Sequence, residues 1–328
     1  MALTAQGRPR LLALRALGLG DAVTGIAALR GVRRRWPDHH LVLAAPSVVG
    51  DWLRQEGLVD EVLDTRGLER RDWQGDPPDV AVNLHGRGPQ SHALLQRLHP
   101  SRLVAFANAE AGFSDGPPWR ANEHEVDRWC RLLASAGATC GPDDLRLGEP
   151  PGGRGRDARL VLIHPGAAFP SRRWPADRWA AVARDLAEQG RQVLVTGVPE
   201  EAQACAAVAA AHPAVEDTCG RYAVPQLSAL VRRAGLLLCG DTGIAHLATA
   251  HGTPSVLLFG PVAPTEWGPR LDPELHRVLW EPRPGDPPGD PHARDVDVRL
   301  ARIEVAQVLA AADEITPAAA TSGSATAG

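Results

Sequence analysis

Short apolar runs alternate with helical segments along most of this 328-residue chain, and that alternation limits its possible folds more than any other feature. Strands that alternate with helices form parallel βαβ units. In the first half, apolar runs predict five strands at Arg10–Arg15, His40–Ala45, Val59–Asp64, Asp79–Leu84 and Arg102–Ala107. Helical spacing predicts helices from Asp21 to about Trp36 and from Asn122 to Gly137. We therefore predict an α/β fold with parallel sheets.

The alternation is interrupted once, by the Pro- and Gly-rich stretch Gly148–Arg156, and then restarts. Such a composition is typical of a linker. The second half is predicted to contain strands at Leu160–His164, Gln192–Thr196, Gly235–Gly240, Ser255–Gly260 and Val278–Trp280. Its predicted helices are Pro175–Gln189, Glu200–Ala211, Pro225–Ala234, Gly243–His251 and Val298–Ala312.

This organisation predicts two α/β domains, residues 1–150 and 151–315, followed by a low-complexity tail at 316–328 that we expect to be disordered. The crevice between the two domains, at the carboxyl ends of their strands, is the expected ligand site.

Composition excludes several classes of protein. A net charge of −4 argues against a nucleic-acid binder, which usually carries a basic face. No run approaches the roughly 18–20 apolar residues that span a bilayer, and the N-terminus lacks an apolar signal region. The five cysteines form no CxxC or Cys/His pattern with metal-ligand spacing. Reduced thiols in a cytoplasmic protein without a metal site are the simplest interpretation.

The most informative local pattern is Gly240-Asp241-Thr242-Gly243, which joins an apolar strand to a helix containing His246 in its first turn. Free N–H groups at a helix start attract phosphate, and glycine allows a diphosphate to approach the backbone. Thr242 and His246 can donate further hydrogen bonds, whereas Asp241 is better suited to sugar hydroxyls. The alternative is that Asp241 or Thr242 only caps the helix.

A second pattern, His164-Pro165-Gly166-Ala167-Ala168, ends the first strand of the second half and is followed by Arg172 and Arg173. Gly166 and the small residues make room for a ligand, and guanidinium groups pair well with phosphate oxygens. The alternative is a solvated arginine pair beside a packing tryptophan.

Two further candidates lie in the first half. Gly18-Leu19-Gly20-Asp21 follows the first strand, and an ionised Asp21 at a helix start is a candidate general base, although it could simply cap the helix. After another strand, His85 and Arg87 could point into the cleft. A histidine in such a place is more often a hydrogen-bonded structural group.

Together these segments resemble glycosyltransferase family 9, the heptosyltransferases of lipopolysaccharide assembly. The resemblance is strongest in DTGIAHLATAHGTPSVLLFGPVAPTEWGP (Asp241–Pro269), which is similar to the family signature at every fixed position. HPGAAFPSRRWPADRW (His164–Trp179) and LRALGLGDAVTGIAALRGVRRRWP (Leu14–Pro37) are similar to two other family segments. The resemblance implies a GT-B fold of two Rossmann-like domains, with the acceptor on the N-terminal domain and the donor on the C-terminal one.

The resemblance also implies inverting, metal-independent transfer from a nucleotide-diphosphate sugar. Asp21 matches the family's catalytic base. Four positions match its donor contacts: Asp241 to the sugar, and Thr242, Gly243 and His246 to the diphosphate. Glu201, or Glu200 if the alignment is shifted by one residue, matches an acid that binds the nucleotide ribose.

The chain departs from the family pattern at three places. It has no lysine, and Arg172 stands where the family has lysine before Arg-Trp-Pro. Ala168 replaces a hydroxyl residue, and Asn83-Leu84-His85-Gly86 stands where many members have Asp-x-Gln-Gly. The last difference puts the acceptor in doubt more than the type of reaction.

The expected partners are a nucleotide sugar, with ADP-heptose implied by the family name alone, and a glycan or glycolipid acceptor. We expect no other cofactor, no nucleic acid, and peripheral contact with the inner membrane face only if the acceptor is lipid-linked. The main alternative is a sugar-nucleotide 2-epimerase of the same fold. A nicotinamide enzyme is disfavoured because Val23 replaces the third glycine of the dinucleotide fingerprint, and a non-catalytic binding module is disfavoured by the intact Asp21 and Asp241.

Overall fold

The computed structural model describes residues 7–68, 73, 75–148 and 155–316. Most of the predicted linker and nearly all of the predicted tail lie outside these ranges. The described chain forms two parallel sheets. The first has five strands: β1 (Arg10–Leu14), β2 (His40–Ala45), β3 (Glu61–Asp64), β4 (Val80–Asn83) and β5 (Arg102–Val104). The second has six: β6 (Asp157–His164), β7 (Gln192–Val195), β8 (Val215–Asp217), β9 (Ala234–Gly240), β10 (Ser255–Leu258) and β11 (His276–Leu279).

Helices connect the strands and cover both faces of each sheet. Around the first sheet they are α1 (Leu19–Thr24), α2 (Ile26–Arg35), α3 (Ser47–Gln55), α4 (Gln90–Gln96) and α5 (Glu125–Ser135). Around the second they are α6 (Ala176–Glu188), α7 (Ala202–Ala209), α8 (Val224–Arg233), α9 (Gly243–His251), α10 (Pro264–Trp267), α11 (Val298–Ala301) and α12 (Val305–Ile315). None of the helices in the described part of the chain combines the length and the apolar character needed to cross a membrane.

The two sheets share one topology. The first has the order β3-β2-β1-β4-β5, and the second repeats it as β8-β7-β6-β9-β10 with β11 added at the end. All of these pairings are parallel. This is the doubly wound order of Rossmann-like domains. Successive strands are added first on one side of the first strand and then, from the fourth strand onwards, on its other side. The predicted α/β class is therefore confirmed, and each sheet has a switch point, the usual place of ligand binding in open α/β sheets.

The structure differs from the sequence prediction mainly in how the helices are divided. The segment predicted as one helix from Asp21 to Trp36 breaks at Gly25 into α1 and α2. A Cβ atom at Gly25 would lie 2.8 Å from the Arg15 side chain, so the glycine makes room for that guanidinium. The final predicted helix likewise divides into α11 and α12. Strand β8 and helices α3, α4 and α10 were not predicted, since short segments carry weak periodicity.

The two halves touch where the first turns of α1 and α9 meet. A Cβ atom on Gly243 would lie 3.0 Å from the Gly20 backbone nitrogen, so glycine at both positions allows the two helices to approach closely. Further along the interface, His124 Nε2 donates to the Gly268 carbonyl oxygen at 2.9 Å. Arg146 and Asp272 form a paired ion contact at 2.8 Å. These contacts bring the two switch points to opposite sides of one cleft.

Candidate active site

A cleft between the two halves gathers residues that follow β1, β6, β7 and β9 at their carboxyl ends. This is where the two topological switch points predict a ligand site. The polar and charged side chains that line it are Asp21, His164, Arg172, Glu201, Asp241, Thr242, His246 and His292. Its backbone and apolar wall includes Gly18, Gly20, Gly243, Leu227, Val262 and Trp267. Most of the residues singled out in the sequence therefore share one cavity.

Asp241 and Arg172 form a charged pair on the C-terminal wall. Asp241 immediately follows β9 and only 6% of its surface is exposed. Burial raises the pKa of this carboxyl, while Arg172, with Nη1 3.7 Å from Oδ2, opposes that rise. Arg172 Nε has no hydrogen-bond partner although it is buried. This guanidinium therefore has donor capacity left for an anion in the cleft.

Arg173, the neighbouring candidate cation, has a different role. Its Nε donates to the Ala167 carbonyl oxygen at 2.8 Å, which fixes the loop after β6. The two arginines therefore have different positions: Arg172 lies on the cleft wall, and Arg173 holds the backbone of the loop after β6.

The start of α9 supplies hydrogen-bond donors to the same wall. Thr242 is the N-cap residue, but its side chain does not cap the helix, so its hydroxyl remains available to a ligand. His246 is buried in the first turn beside Trp267, with ring centroids 5.8 Å apart. Burial lowers the pKa of His246 to about 4, so the ring is neutral at physiological pH. A neutral imidazole offers one N–H donor and carries no charge.

Glu201 and His164 form the end of the cleft beside β7. Glu201 Oε2 accepts a hydrogen bond from the Val198 backbone N–H at 2.9 Å and lies 3.6 Å from His164 Nε2. His164 Nδ1 is 3.1 Å from Thr196 Oγ1. Glu201 lines the cleft whereas Glu200 is exposed outside it, which favours the first of the two predicted alignments.

Gly166, predicted to bind the donor, is buried behind Glu201 and is not part of the cleft lining. A Cβ atom there would lie only 1.9 Å from the Glu201 carboxyl carbon. Glycine at this position is thus needed for the placement of Glu201. Its predicted role in donor binding stays a prediction.

Asp21 occupies the opposite, N-terminal wall. It is the third residue of α1, and its side chain keeps 30% of its surface exposed to the cleft. Burial raises the pKa of Asp21, and Arg15, with Nη2 3.7 Å from Oδ1, opposes that rise. The sequence analysis expected a carboxylate stabilised by the helix start. The structure shows that desolvation has the larger effect and favours the protonated form, as suits a group that accepts a proton.

Beneath Asp21 lies a buried ion-pair network that the sequence analysis missed. Arg15 is 2% exposed, contacts Glu125 Oε1 at 3.2 Å and Thr24 Oγ1 at 3.0 Å, and donates to the Asp21 carbonyl oxygen. Glu125 also accepts from Arg128 and from Trp129 Nε1. The available signal was an arginine at the end of the apolar run RLLALR, where a buried cation needs a partner.

The two acceptor-side candidates are not among the residues that line the cleft. His85 is half-buried after β4, and its Nδ1 has no hydrogen-bond partner. Burial and the nearby Arg15 lower its pKa to about 4. Arg87 is exposed, and its carbonyl oxygen accepts from Asn108 Nδ2 at 2.9 Å. The role of both residues toward an acceptor stays a prediction.

The loop after β11 adds a wall that no sequence pattern indicated. Pro291 and His292 line the cleft, and His292 packs edge-on against Phe169 with ring centroids 4.6 Å apart. The loop is held by Arg302, which donates to both Asp286 oxygens at 2.6 and 2.7 Å. The Pro- and Gly-rich composition of this segment predicted a loop but not its position.

A family model described as glycosyltransferase family 9 (heptosyltransferase) matches residues 118–274. Lipopolysaccharide heptosyltransferase 3 of Escherichia coli is 30% identical over 169 residues, which are 49% of this chain and 48% of that protein. Lipopolysaccharide heptosyltransferase 1 of Pseudomonas aeruginosa is 26% identical over 239 residues, 66% of this chain and 59% of that protein. The chain thus spans about half the length of the curated relatives it matches.

Solved structures share the fold over nearly the whole chain. The E. coli ADP-heptose lipopolysaccharide heptosyltransferase II has a TM-score of 0.74 at 18% identity, covering 94% of this chain and 98% of that one. A glycosyltransferase of family 9 from Veillonella parvula has a TM-score of 0.75 at 20% identity, covering 94% and 97%. These structures confirm the predicted GT-B architecture, and the sequence matches show that residues 118–274 are similar to glycosyltransferase family 9.

Proposed function

We propose that the protein is an inverting glycosyltransferase that moves a sugar from a nucleotide-diphosphate sugar to a hydroxyl group of a glycan or glycolipid. One observation carries the proposal. A partly exposed carboxyl group, Asp21, faces a cleft whose opposite wall combines the start of α9 with Arg172. A base on one wall and anion-binding groups on the other suit displacement at a carbon bonded to a diphosphate.

The first half of the proposed reaction belongs to Asp21. The acceptor hydroxyl is a weak nucleophile, and Asp21 takes its proton as the new bond to the anomeric carbon forms. A raised pKa makes this carboxylate a better proton acceptor than an exposed aspartate. Arg15 holds the Asp21 backbone through its carbonyl oxygen and thereby keeps the base in position.

The second half concerns the leaving group. As the carbon–oxygen bond to the diphosphate breaks, negative charge develops on the departing nucleotide. The N–H groups at the start of α9, the Thr242 hydroxyl, His246 and Arg172 lie on that wall and can stabilise the charge. Because these groups supply donors and positive charge, we propose transfer that needs no metal. Glu201 is proposed to bind the ribose and Asp241 the sugar.

The donor and acceptor are proposed from the names of relatives. Several are named lipopolysaccharide heptosyltransferases, and one solved relative is named for ADP-heptose. ADP-heptose is therefore the first donor to test. A lipid-linked acceptor would place the enzyme at the inner membrane face, in peripheral contact from the cytoplasm.

The decisive experiment is calorimetric titration of the protein with ADP, UDP, GDP, dTDP and NAD, with and without EDTA. We expect one nucleoside diphosphate to bind, with an affinity that EDTA does not change. Binding of NAD alone, or binding that requires a metal, would contradict the proposal. Consumption of the matching nucleotide sugar without an acceptor would instead support the epimerase.

A pair of variants shows whether that binding occurs in the cleft. Arg172→Ala should weaken nucleotide affinity about 10–100-fold, since a hydrogen bond to a charged group contributes roughly 1.5–3 kcal/mol. Arg184→Ala is the matched control, because Arg184 is exposed on α6 away from the cleft lining. Equal affinities in the two variants would remove Arg172 from the site.

A further inference from the structure

Two cysteines and an aspartate come together behind the Glu201 end of the cleft. Cys205 lies on α7, which follows β7, whereas Asp217 ends β8 and Cys219 lies just beyond it. The two sulfur atoms and one carboxylate oxygen all lie within 4.8 Å of one another. No CxxC or Cys/His spacing indicates this group, because its members come from two neighbouring βα units. We propose that Cys205, Asp217 and Cys219 bind a thiolate-preferring divalent cation of the zinc type.

The chemistry of the three groups fits such an ion. Zinc binds thiolate sulfur at about 2.3 Å and carboxylate oxygen at about 2.0–2.2 Å, usually with four ligands. The three ligand atoms need to move together only slightly to reach these distances. Cys219 and Asp217 are half-buried, so a water molecule can take the fourth position. Sulfur ligands select zinc over magnesium or calcium, which prefer oxygen.

The backbone beside the cluster leaves space for both sulfur atoms. A Cβ atom at Gly197 would lie 2.5 Å from Cys205 Sγ and 3.3 Å from Cys219 Sγ. Any side chain at this position would therefore occupy the volume in which the two sulfurs meet. Glycine at 197 allows the thiols to converge over the main chain.

The ligand atoms have few other partners. Cys205 Sγ interacts with the Cys219 thiol and donates to the Thr196 carbonyl oxygen over a long 3.6 Å, and Cys219 Sγ donates to the Val198 carbonyl oxygen at 3.0 Å. Asp217 Oδ1 accepts from the Cys219 backbone N–H at 2.9 Å. Within the ranges that the structure describes, no arginine pairs with Asp217, so its negative charge is not neutralised by an ion pair.

The cluster is connected to the cleft through a single residue. Val198 accepts the Cys219 hydrogen bond at its carbonyl oxygen, while its N–H donates to Glu201 Oε2 at 2.9 Å. Val198 and Glu201 both line the cleft. A metal must displace the thiol proton of Cys219, so binding breaks the first of these hydrogen bonds. Metal binding would therefore change the hydrogen bonding of Val198, which lies next to Glu201 and outside the reacting centre.

The test is a Co²⁺ titration of the full chain under anaerobic conditions with a phosphine reductant, followed by displacement with Zn²⁺. We expect one equivalent of Co²⁺ to bind with sulfur-to-cobalt charge-transfer absorption. Cys219→Ser should weaken binding at least about tenfold and reduce that absorption. Asp217→Asn should weaken binding but keep the absorption. Both positions are half-buried, so these variants are better suited than changes at the fully buried Cys205.

Cys140→Ser is the matched control, because Cys140 is a half-buried thiol in the other half of the molecule. Its binding curve should superimpose on that of the unaltered protein. The proposal is overturned if the folded protein shows no charge-transfer absorption. It is also overturned if Cys219→Ser binds as well as the unaltered protein, if Cys140→Ser loses the ion, or if Cys205 and Cys219 form a disulfide under these conditions. None of these outcomes depends on nucleotide binding, which the calorimetric titration measures separately.

Discussion

The cleft has a carboxylate–arginine pair on each wall, and the two pairs are built in opposite ways. On the N-terminal wall the arginine is buried and the carboxylate is open: Arg15 is 2% exposed and Asp21 30%. On the C-terminal wall the carboxylate is buried and the arginine is more open, since the Asp241 side chain is 8% exposed and the Arg172 side chain 22%. Both pairs have a closest N···O distance of 3.7 Å, so burial rather than separation distinguishes them.

This inversion shows which member of each pair is more exposed to the cleft. Where the carboxylate is open, it can exchange a proton with a substrate while the buried arginine fixes its position. Where the arginine is open, it can meet a phosphate oxygen while the buried carboxylate orients it. Burial raises the pKa of both carboxyls, but only Asp21 has the exposure that a general base requires.

The largest expected effect comes from removing the open carboxylate. Asp21→Asn should lower kcat about 10²–10⁴-fold, the usual contribution of a general base, while nucleotide affinity stays unchanged. Steady-state kinetics with ADP-heptose and calorimetry on the same preparation measure the two quantities. Equal losses of turnover and of nucleotide affinity would show that Asp21 acts in binding and would remove the contrast between the walls.

The second effect is a difference between Arg15 and Arg172 in how much each side chain contributes to the stability of the fold. Arg15→Met should lower the free energy of unfolding by about 3–5 kcal/mol, because it removes one partner of buried Glu125. Arg172→Met should cost less than Arg15→Met, because Arg15→Met also loses the hydrogen bonds to Thr24 and to the Asp21 and Leu84 carbonyl oxygens, whereas the Arg172 contact with Asp241 is 3.7 Å long. Urea denaturation followed by circular dichroism measures both. Similar losses of unfolding free energy in the two variants would mean that Arg15 and Arg172 contribute equally to stability despite their different burial.

The C-terminal wall was the more predictable of the two from sequence. Asp241, Thr242, Gly243 and His246 are close in the chain, so one strand–turn–helix pattern placed them together. Arg172 reaches them because it follows β6, which pairs directly with β9. Local patterns and parallel-strand topology therefore sufficed for this wall and for the α/β class of both halves, whereas strand β8 and the order of the strands required the structure.

The N-terminal wall depends on contacts between distant residues, which no local pattern contains. Arg15 and Glu125 lie on different elements, β1's end and α5, and their pairing required the folded chain. The break at Gly25 has the same origin, since it is the Arg15 side chain that needs the space. The thiols of Cys205 and Cys219 escaped detection for a similar reason. The position of Glu201 directly in front of Gly166 could not be predicted from sequence either.

The smallest expected effect is a pH dependence of stability that should be stronger for Asp241 than for Asp21. Burial raises the pKa of Asp241 in the folded protein above its usual value of 3.8. The folded state therefore holds this proton more tightly than the unfolded state. The resulting stabilisation is fully present below pH 3.8 and is lost as pH rises through the folded-state pKa.

Asparagine cannot ionise, so Asp241→Asn should escape this loss. The difference in unfolding free energy between Asp241→Asn and the unaltered protein should therefore shift in favour of the variant as pH rises from 3.8, and then level off. Asp21→Asn should show the same sign with a smaller change, because its carboxyl is more exposed. Urea denaturation of all three proteins at a series of pH values measures this difference, and groups common to all three cancel. A constant difference for Asp241→Asn across that range would mean that its carboxyl is not desolvated in the folded protein. If this pH-dependent change were larger for Asp21→Asn than for Asp241→Asn, Asp21 and not Asp241 would be the more desolvated carboxyl.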